Sequence, residues 1–338
     1  MRSDIEWSGA RLRSITDIAA GIRLFEIEPS ARFVAPAPGS HLKVTVYVDG
    51  RPDVRSYSIV GPCADGLYRI AVKRLPDSRG GSLYMWSLEP GANLTISQPA
   101  NHFELTYGRP DYLLIAGGIG ITPIYGMALA LSQAKARVRL LYAARTEAEL
   151  AFAEELRERL GDRLELFLDA EGRRVDLPAE FARLAPGGEV YLCGPIGMLE
   201  AAKTAWADSG RPVGGLRFET FGNSGRYATE AFRVRVPRLG LDLLVPENKS
   251  MLDALEDAGV AMIHDCRRGE CGLCAVDILE TEGVVDHRDV FFSDAQKQAN
   301  AKMCTCVSRV ARGGVTIDTA DRTAAMPARQ AASITAAP

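Results

Sequence analysis

Residues 266–274 read CRRGECGLC, three cysteines within nine positions and two glycines between them. The chain holds seven cysteines, an odd number, and five of them fall between 266 and 306. Scattered pairs would point to the disulfides of a secreted protein. A local cluster points instead to metal in a reducing compartment, in a chain whose start, MRSDIEWSGA, lacks the charged-then-apolar run of an export signal. The cytoplasm is the expected location.

The spacing is C-x4-C-x2-C (Cys266, Cys271, Cys274), with two further thiols, Cys304 and Cys306, some thirty residues on. This is the plant-type ferredoxin arrangement, in which four thiolates hold a [2Fe–2S] cluster. Two irons bridged by sulfide take two thiolates each, and backbone N–H groups must crowd around the sulfurs to stabilise their charge. Gly269 and Gly272 allow so tight a loop through positive φ and close backbone approach. The rival is structural zinc, but four-cysteine zinc sites commonly pair two C-x2-C knuckles and only one occurs here. Cys304 leaves 29 residues after Cys274, a common plant-type interval, so spacing alone keeps both candidates for the fourth ligand.

Upstream of the loop the rhythm of the sequence changes twice. HLKVTVYV, SYSIV and YRIAVKR, within the first hundred residues, alternate apolar and polar side chains between Gly- and Pro-containing turns, which predicts a small antiparallel barrel. From about 110, YLLIAGG, RVRLLYAA, RLELFLD and EVYLCGP are short apolar strands separated by helix-like stretches such as TEAELAFAEELRERL, which predicts a parallel α/β sheet. FGNSGRYATE (221–230) reads as a linker. FRVRVPRLGLDLLVP then reads as a hairpin and SMLDALEDAG as a helix, ahead of the cysteine loop. The Ala-rich end, RTAAMPARQAASITAAP, is expected to be disordered.

The uncharged stretch from Tyr112 to Ala134 is long enough to span a membrane, but glycines at 117, 118 and 120 and then Thr122-Pro123 argue for strand, turn and helix. A formal charge of -3 and a pI near 5.9 argue against general nucleic-acid binding.

Four short motifs carry chemistry in the first two regions. R-S-Y-S (Arg55, Ser56, Tyr57, Ser58) begins a strand; Arg55 is either a solvated edge charge or an anion partner. SRGGS follows, with Arg79, Gly80, Gly81 and Ser82 at a helix start where N–H groups can meet a phosphate. GGIGITP (117–123) directly follows the strand YLLIA, and CGP (Cys193, Gly194, Pro195) follows EVYL. Neither is the G-x-G-x-x-G fingerprint, yet two glycine turns at strand C-terminal ends, where open α/β sheets bind ligands, favour a pyridine nucleotide.

R-S-Y-S, SRGGS, GGIGITP, CGP, FETFG and CRRGECGLC…CVSR, in that order, resemble the phthalate dioxygenase reductase family, to which the vanillate demethylase reductases also belong. The likeness runs from about residue 8 to 320. It implies an antiparallel β-barrel for FMN over 1–108 and a parallel-sheet α/β domain for NADH over 109–222. A linker at 223–230 and a plant-type [2Fe–2S] ferredoxin domain of α+β (β-grasp) type over 231–321 would follow, then a tail at 322–338. The wider fold group is ferredoxin–NADP reductase.

Carried over by the resemblance, Arg55, Ser56, Tyr57 and Ser58 hold FMN, with Ala71, Val72 and Lys73 along its ring and ribityl chain. Arg79, Gly80, Gly81 and Ser82 meet its phosphate. Gly117, Gly118, Gly120, Pro123, Cys193, Gly194 and Pro195 cradle NADH, and Thr122 lies near both flavin and nicotinamide. Phe221 resembles the family's aromatic at the flavin face; its other reading is packing beside the linker. Asp169 would accept from an adenosine ribose hydroxyl, or is a helix cap, and Arg145 would pair with an adenylate phosphate. In the family the fourth cluster ligand directly precedes V-S-R, which selects Cys306 and leaves Cys304 a spare thiol. Asp286 to Asp289 (DHRD) also match the family without a mechanism, His287 being read as structural. Cys63 is read as barrel packing.

The implied activity is electron transfer from NADH through flavin to the cluster and out to a Rieske-type oxygenase. Hydride would pass from nicotinamide C4 to flavin N5, and single electrons would then cross to the cluster. Other acceptors, a cytochrome P450 or another ferredoxin, fit the same motifs. A carrier with a vestigial flavin domain and a zinc-stabilised binding module are further alternatives. A monomer that touches its partner transiently near Cys271, with no nucleic-acid or membrane partner, is expected.

Overall fold

The structure, a computed structural model, describes residues 6–75, 80–221 and 225–319. Seven antiparallel strands come first: β1 (Trp7–Ala19), β2 (Ile22–Pro29), β3 (Ser40–Val48), β4 (Arg51–Ser58), β5 (Tyr68–Lys73), β6 (Asn93–Ser97) and the short β7 (Ala100–Asn101). They lie in the order β4-β3-β6-β1-β2-β5, with β7 beside β3. In β3, Leu42, Val44 and Val46 are fully buried while Lys43, Thr45 and Tyr47 are not, the period of two that HLKVTVYV predicts. A bridge between Ile59 and Ile70 closes the sheet, and Val60 N–H donates to Arg69 O at 2.8 Å beside it. The result is the expected barrel, packed around Leu12, Phe25, Ile27, Leu42, Val44 and Ile70. Helix α1 (Gly81–Ser87) inserts Met85 into the same core.

The second sheet is wholly parallel, in the order β10-β9-β8-β11-β12. Its strands are β8 (Tyr112–Gly117), β9 (Val138–Ala144), β10 (Leu164–Leu168), β11 (Glu189–Cys193) and β12 (Leu216–Glu219). Helices α2 (Ile121–Gln133), α3 (Ala153–Leu160), α4 (Leu177–Arg183) and α5 (Ile196–Asp208) intervene. Every residue of the central strands β8 and β11 is buried, which is why they read as unbroken apolar runs. The uncharged stretch becomes β8, a glycine turn and α2. Among the described residues no helix is long and apolar enough to cross a membrane.

Barrel and parallel sheet belong to one compact unit that ends at Arg226. They share a core in which Ile22, Val60 and Ala71 of the barrel join Ile121, Ile124 and Tyr125 of α2. One feature departs from the sequence reading: the helix expected over TEAELAFAEELRERL begins only at Ala153, after Phe152 in a left-handed conformation (φ 63°). Tertiary contacts override helix propensity over the first part: Leu150 and Ala151 enter the shared core, and Ala148 O accepts from Ala20 N at 2.7 Å.

The second unit begins at Tyr227. β13 (Phe232–Val236) and β14 (Leu241–Val245) form the expected hairpin, turning at Gly240 with φ 64°. α6 (Met251–Asp257) starts at a capping box in which Ser250 and Asp253 satisfy each other's backbone N–H. β15 (Ala275–Asp286), α7 (Asp294–Ala299), β16 (Lys302–Cys304) and β17 (Arg309–Asp318) complete a mixed sheet ordered β14-β13-β17-β15-β16. α6 packs its Met251 and Leu255 on the sheet's buried valines. This is the α+β ferredoxin architecture predicted. Residues 322–338, read as a disordered tail, lie outside the described residues, as do 320 and 321.

Candidate functional site

Because all five strands of the second sheet run the same way, their carboxyl ends share one edge. That edge gathers the 117–120 turn after β8, Arg145 after β9, Asp169 after β10, Cys193–Pro195 at the end of β11 and Glu219–Phe221 at the end of β12. Arg145 and Asp169 are both exposed and directly follow the paired residues Ala144 and Leu168, so they stand side by side. Ligand sites of open α/β sheets lie at this edge.

The two glycine turns interlock. A Cβ on Gly120 would come within 2.2 Å of Cys193 O, and one on Gly117 within 2.6 Å of Pro195 Cδ and 3.2 Å of Gly194 Cα. Gly194 in turn faces Gly117 Cα at 3.2 Å. These three glycines are therefore required by the packing of adjacent strand ends. Gly118 differs: it takes φ 53° and a Cβ there would meet nothing within 4 Å, so the turn opens onto free space. Thr122 is buried, and its hydroxyl donates to Ile119 O at 3.0 Å inside the turn; Pro123 is buried beside it.

The barrel contributes the facing half. Arg55 and Tyr57 share one face of β4, while Ser56 and Ser58 take the other. Arg55 pairs with Asp53 at 2.5 Å and donates to Val54 O at 3.0 Å. A Cβ on Gly81 would lie 2.7 Å from Arg55 Cγ and Nε, so the guanidinium runs along the start of α1, as R-S-Y-S and SRGGS together predict. Gly80 there takes φ 81° against the Val48 side chain. Ser82 Oγ accepts from Leu75 N at 3.3 Å. Arg79 lies outside the described residues. Burial pushes the Tyr57 phenol well above its usual range despite Arg55, so it stays neutral.

On β5, Ala71 and Val72 are buried, Val72 within the barrel core and Ala71 in the core shared with the parallel sheet. The Lys73 ammonium meets Glu149 at 2.6 Å and ties barrel to sheet.

Sequence reasoning missed Glu219. It is 4% exposed, its Oε2 stands 3.4 Å from Ser58 Oγ, and strand register sets it beside Cys193. A lone carboxylate between Phe218 and Phe221 was the available signal. Phe221, two residues on, is half-buried and packs on the shared core.

The second unit carries the thiols. Arg268, Glu270 and Cys271 each direct a backbone N–H at Cys266 Sγ, all at 3.4 Å. Positive φ at Arg267 (51°), Gly269 (76°) and Gly272 (71°) winds the loop around that sulfur. Cys274 is buried, and the thiols of Cys304 and Cys306 both donate to it, holding it down to about 3. Pairing of Ala275 with Cys304 in β15 and β16 brings these segments together. The two candidates for the fourth ligand have different surroundings. Cys306 accepts the N–H of Gly269 and feels Cys266, within the loop; Cys304, fully buried, feels the Asp289 carboxylate behind it. A sulfur-only donor set with converging amides fits a [2Fe–2S] cluster held by Cys266, Cys271, Cys274 and Cys306. Among the described residues no three His, Cys, Asp or Glu side chains close around a single ion. Cys63 is buried in the barrel core, where burial raises its thiol.

Comparison with known proteins agrees with both halves. Residues 236–311 match the 2Fe-2S iron-sulfur cluster binding domain family, and 114–168 match the oxidoreductase NAD-binding domain family. The phenoxybenzoate dioxygenase subunit beta of Ectopseudomonas oleovorans is 35% identical, the match covering 91% of this chain and 96% of that one. The crystal structure of phthalate dioxygenase reductase, described as modular for electron transfer from pyridine nucleotides to [2Fe–2S], superposes with a TM-score of 0.72 at 29% identity, covering 92% of this chain and 98% of that one. An intact type IV self-sufficient cytochrome P450 monooxygenase matches at 31% identity with a TM-score of 0.63, over 92% of this chain. This chain spans 41% of that monooxygenase. NAD, a flavin and a [2Fe–2S] cluster are accordingly the cofactors of this oxidoreductase.

Proposed function

This chain belongs to the phthalate dioxygenase reductase family, the reductase components of oxygenase systems, and on that premise we propose that it oxidises NADH and delivers electrons singly to a Rieske-type terminal oxygenase. Bound FMN would supply the link between a two-electron hydride donor and a one-electron [2Fe–2S] cluster. Arg55 with Gly80, Gly81 and Ser82 binds the flavin phosphate; Tyr57 and Ser58, with Ser56, line the ring, and Phe221 covers its face. Gly118 leaves room for the nicotinamide half, while Arg145 and Asp169 take the adenosine half. Glu219 orients Ser58 at the junction. Cys266, Cys271, Cys274 and Cys306 hold the cluster, and the amides of Arg268, Glu270 and Cys271 stabilise its charge.

The observation that carries this reading is the joint presence of an open glycine turn at a parallel-sheet edge and an amide-wrapped cysteine loop in one chain. The likeness to a cytochrome P450 monooxygenase supports a second reading, in which the acceptor is a P450. Anaerobic NADH titration of the holoprotein, followed by reconstitution with a Rieske oxygenase and with a P450, tests both. NADH that bleaches the flavin but leaves the cluster oxidised sinks the proposal; turnover with the P450 alone transfers it to the second reading. A cytoplasmic monomer is the form proposed.

A further inference from the structure

The stretch DHRD (286–289) has no part in the reading above, yet its three charged residues Asp286, Arg288 and Asp289 are all buried. Asp286 accepts from Arg288 Nε at 2.8 Å, so that pair satisfies itself. Asp289 does something else. Its Oδ1 accepts the Ser308 hydroxyl at 3.2 Å and stands 3.6 Å from His287 Nδ1; its Oδ2 accepts the Phe292 N–H at 3.0 Å. Its backbone carbonyl accepts the Lys297 ammonium. His287 is turned outward to Asn300 through Nε2 at 2.8 Å.

The bond to Ser308 reaches the segment that carries Cys306. Ser308 follows Cys306 by two residues, and its N–H donates to Cys304 O at 3.0 Å. On the other side, a Cβ on Gly269 would lie 2.8 Å from Asp289 Cα, and Val290 N–H donates to Gly269 O at 2.9 Å. Gly269 then gives its own N–H to Cys306. Asp289 thus stands where the 266–274 loop and the Cys306 turn meet, and it is fully buried.

We propose that Asp289 is a positioning residue for the cluster: it fixes the cysteine loop against the Cys306 segment, and its buried carboxylate holds the cluster's reduction potential down. The inference rests on the assignment of Cys266, Cys271, Cys274 and Cys306 as ligands. Reduction adds negative charge to the cluster, and a fixed carboxylate in a poorly polarisable surrounding opposes that. Burying such a group is costly unless donors satisfy it, which the Ser308 hydroxyl and the Phe292 N–H do, one at each carboxylate oxygen.

The test uses full-length holoprotein with bound flavin. Asp289→Asn keeps the shape and removes the charge; the expected result is full iron and labile sulfide, unchanged flavin reduction by NADH, and a cluster midpoint potential raised by about 59 mV, tenfold in the one-electron equilibrium. Asp277→Asn, an exposed carboxylate of the same unit, serves as control. An unmoved potential in Asp289→Asn, or an equal shift in Asp277→Asn, overturns the proposal. Should Asp289→Asn yield apoprotein, Ser308→Ala decides. An unchanged potential and electron paramagnetic resonance spectrum then overturn it; a shift, or a cluster lost in Ser308→Ala and retained in Ser308→Thr, upholds it. Wild-type protein lacking a [2Fe–2S] signal would instead refute the ligand assignment.

Discussion

Ser58 Oγ and Glu219 Oε2 lie 3.4 Å apart, although 161 residues separate them in the chain. One ends a barrel strand and the other ends a strand of the parallel sheet, so the contact joins the flavin half to the nucleotide half. Both are buried, and the carboxylate at that junction fixes the Ser58 hydroxyl, which the proposed function sets beside the flavin. Glu219→Gln is expected to slow flavin reduction by NADH about 10-fold to 100-fold while flavin content stays normal. Stopped-flow absorbance at the flavin band checks this; an unchanged rate would detach Glu219 from the site.

Gly120 is held to a bare Cα by Cys193 O. Gly120→Ala forces apart β8 and β11, an overpacking that costs about 1–3 kcal/mol. Each kcal/mol lowers the melting temperature by roughly 2–4 °C in a unit of this size. Gly118→Ala has space for its methyl but must keep positive φ, so it weakens NADH binding more than it destabilises the fold. Thermal melts paired with NADH titrations separate the two effects.

The fourth ligand is decided by substitution. Cys306→Ser is expected to lose the native cluster spectrum, and Cys304→Ser to keep it, since only Cys306 takes an amide from the loop. Iron and labile sulfide analysis with visible circular dichroism reads the outcome. A normal spectrum in Cys306→Ser reverses the assignment.

Glu26 carries a pH prediction for the barrel. The Ser14 hydroxyl at 2.7 Å, more than the Arg69 guanidinium at 2.8 Å, holds its carboxyl below the ordinary 4.5. A pKa depressed in the folded state gives stability that is complete above the unfolded value and lost as pH falls through the folded one. Unfolding by denaturant at about pH 6 and about pH 3 should therefore show a larger loss in wild type than in Glu26→Gln. Equal losses would show that the network contributes nothing.

The strands were legible because burial follows simple periods: two along β3, continuous along β8 and β11. The cysteine loop was legible because its chemistry fixes its spacing. What sequence could not convey was pairing across distance. The Glu149 partner of Lys73 has no trace in the sequence, and TEAEL reads as helix until Leu150 and Ala151 are found in the shared core. Glu219 and Asp289 have only faint local signals, because the partners that define them, Ser58 and Ser308, lie more than a dozen residues away. Glycines 117, 120 and 194 were recognised as a nucleotide turn, but the close approach that demands them needed two strands placed side by side.

Gly272 lies under the ring of Phe291, whose atoms would stand 2.3 Å from any Cβ there, and a Cβ on Gly269 would stand 2.6 Å from Val307 and 2.8 Å from Asp289. The nine-residue motif is therefore not a portable cassette. A graft of CRRGECGLC into a foreign scaffold would turn correctly only if residues 289–292 travelled with it, because the bend in the loop is moulded from outside as much as it is encoded within.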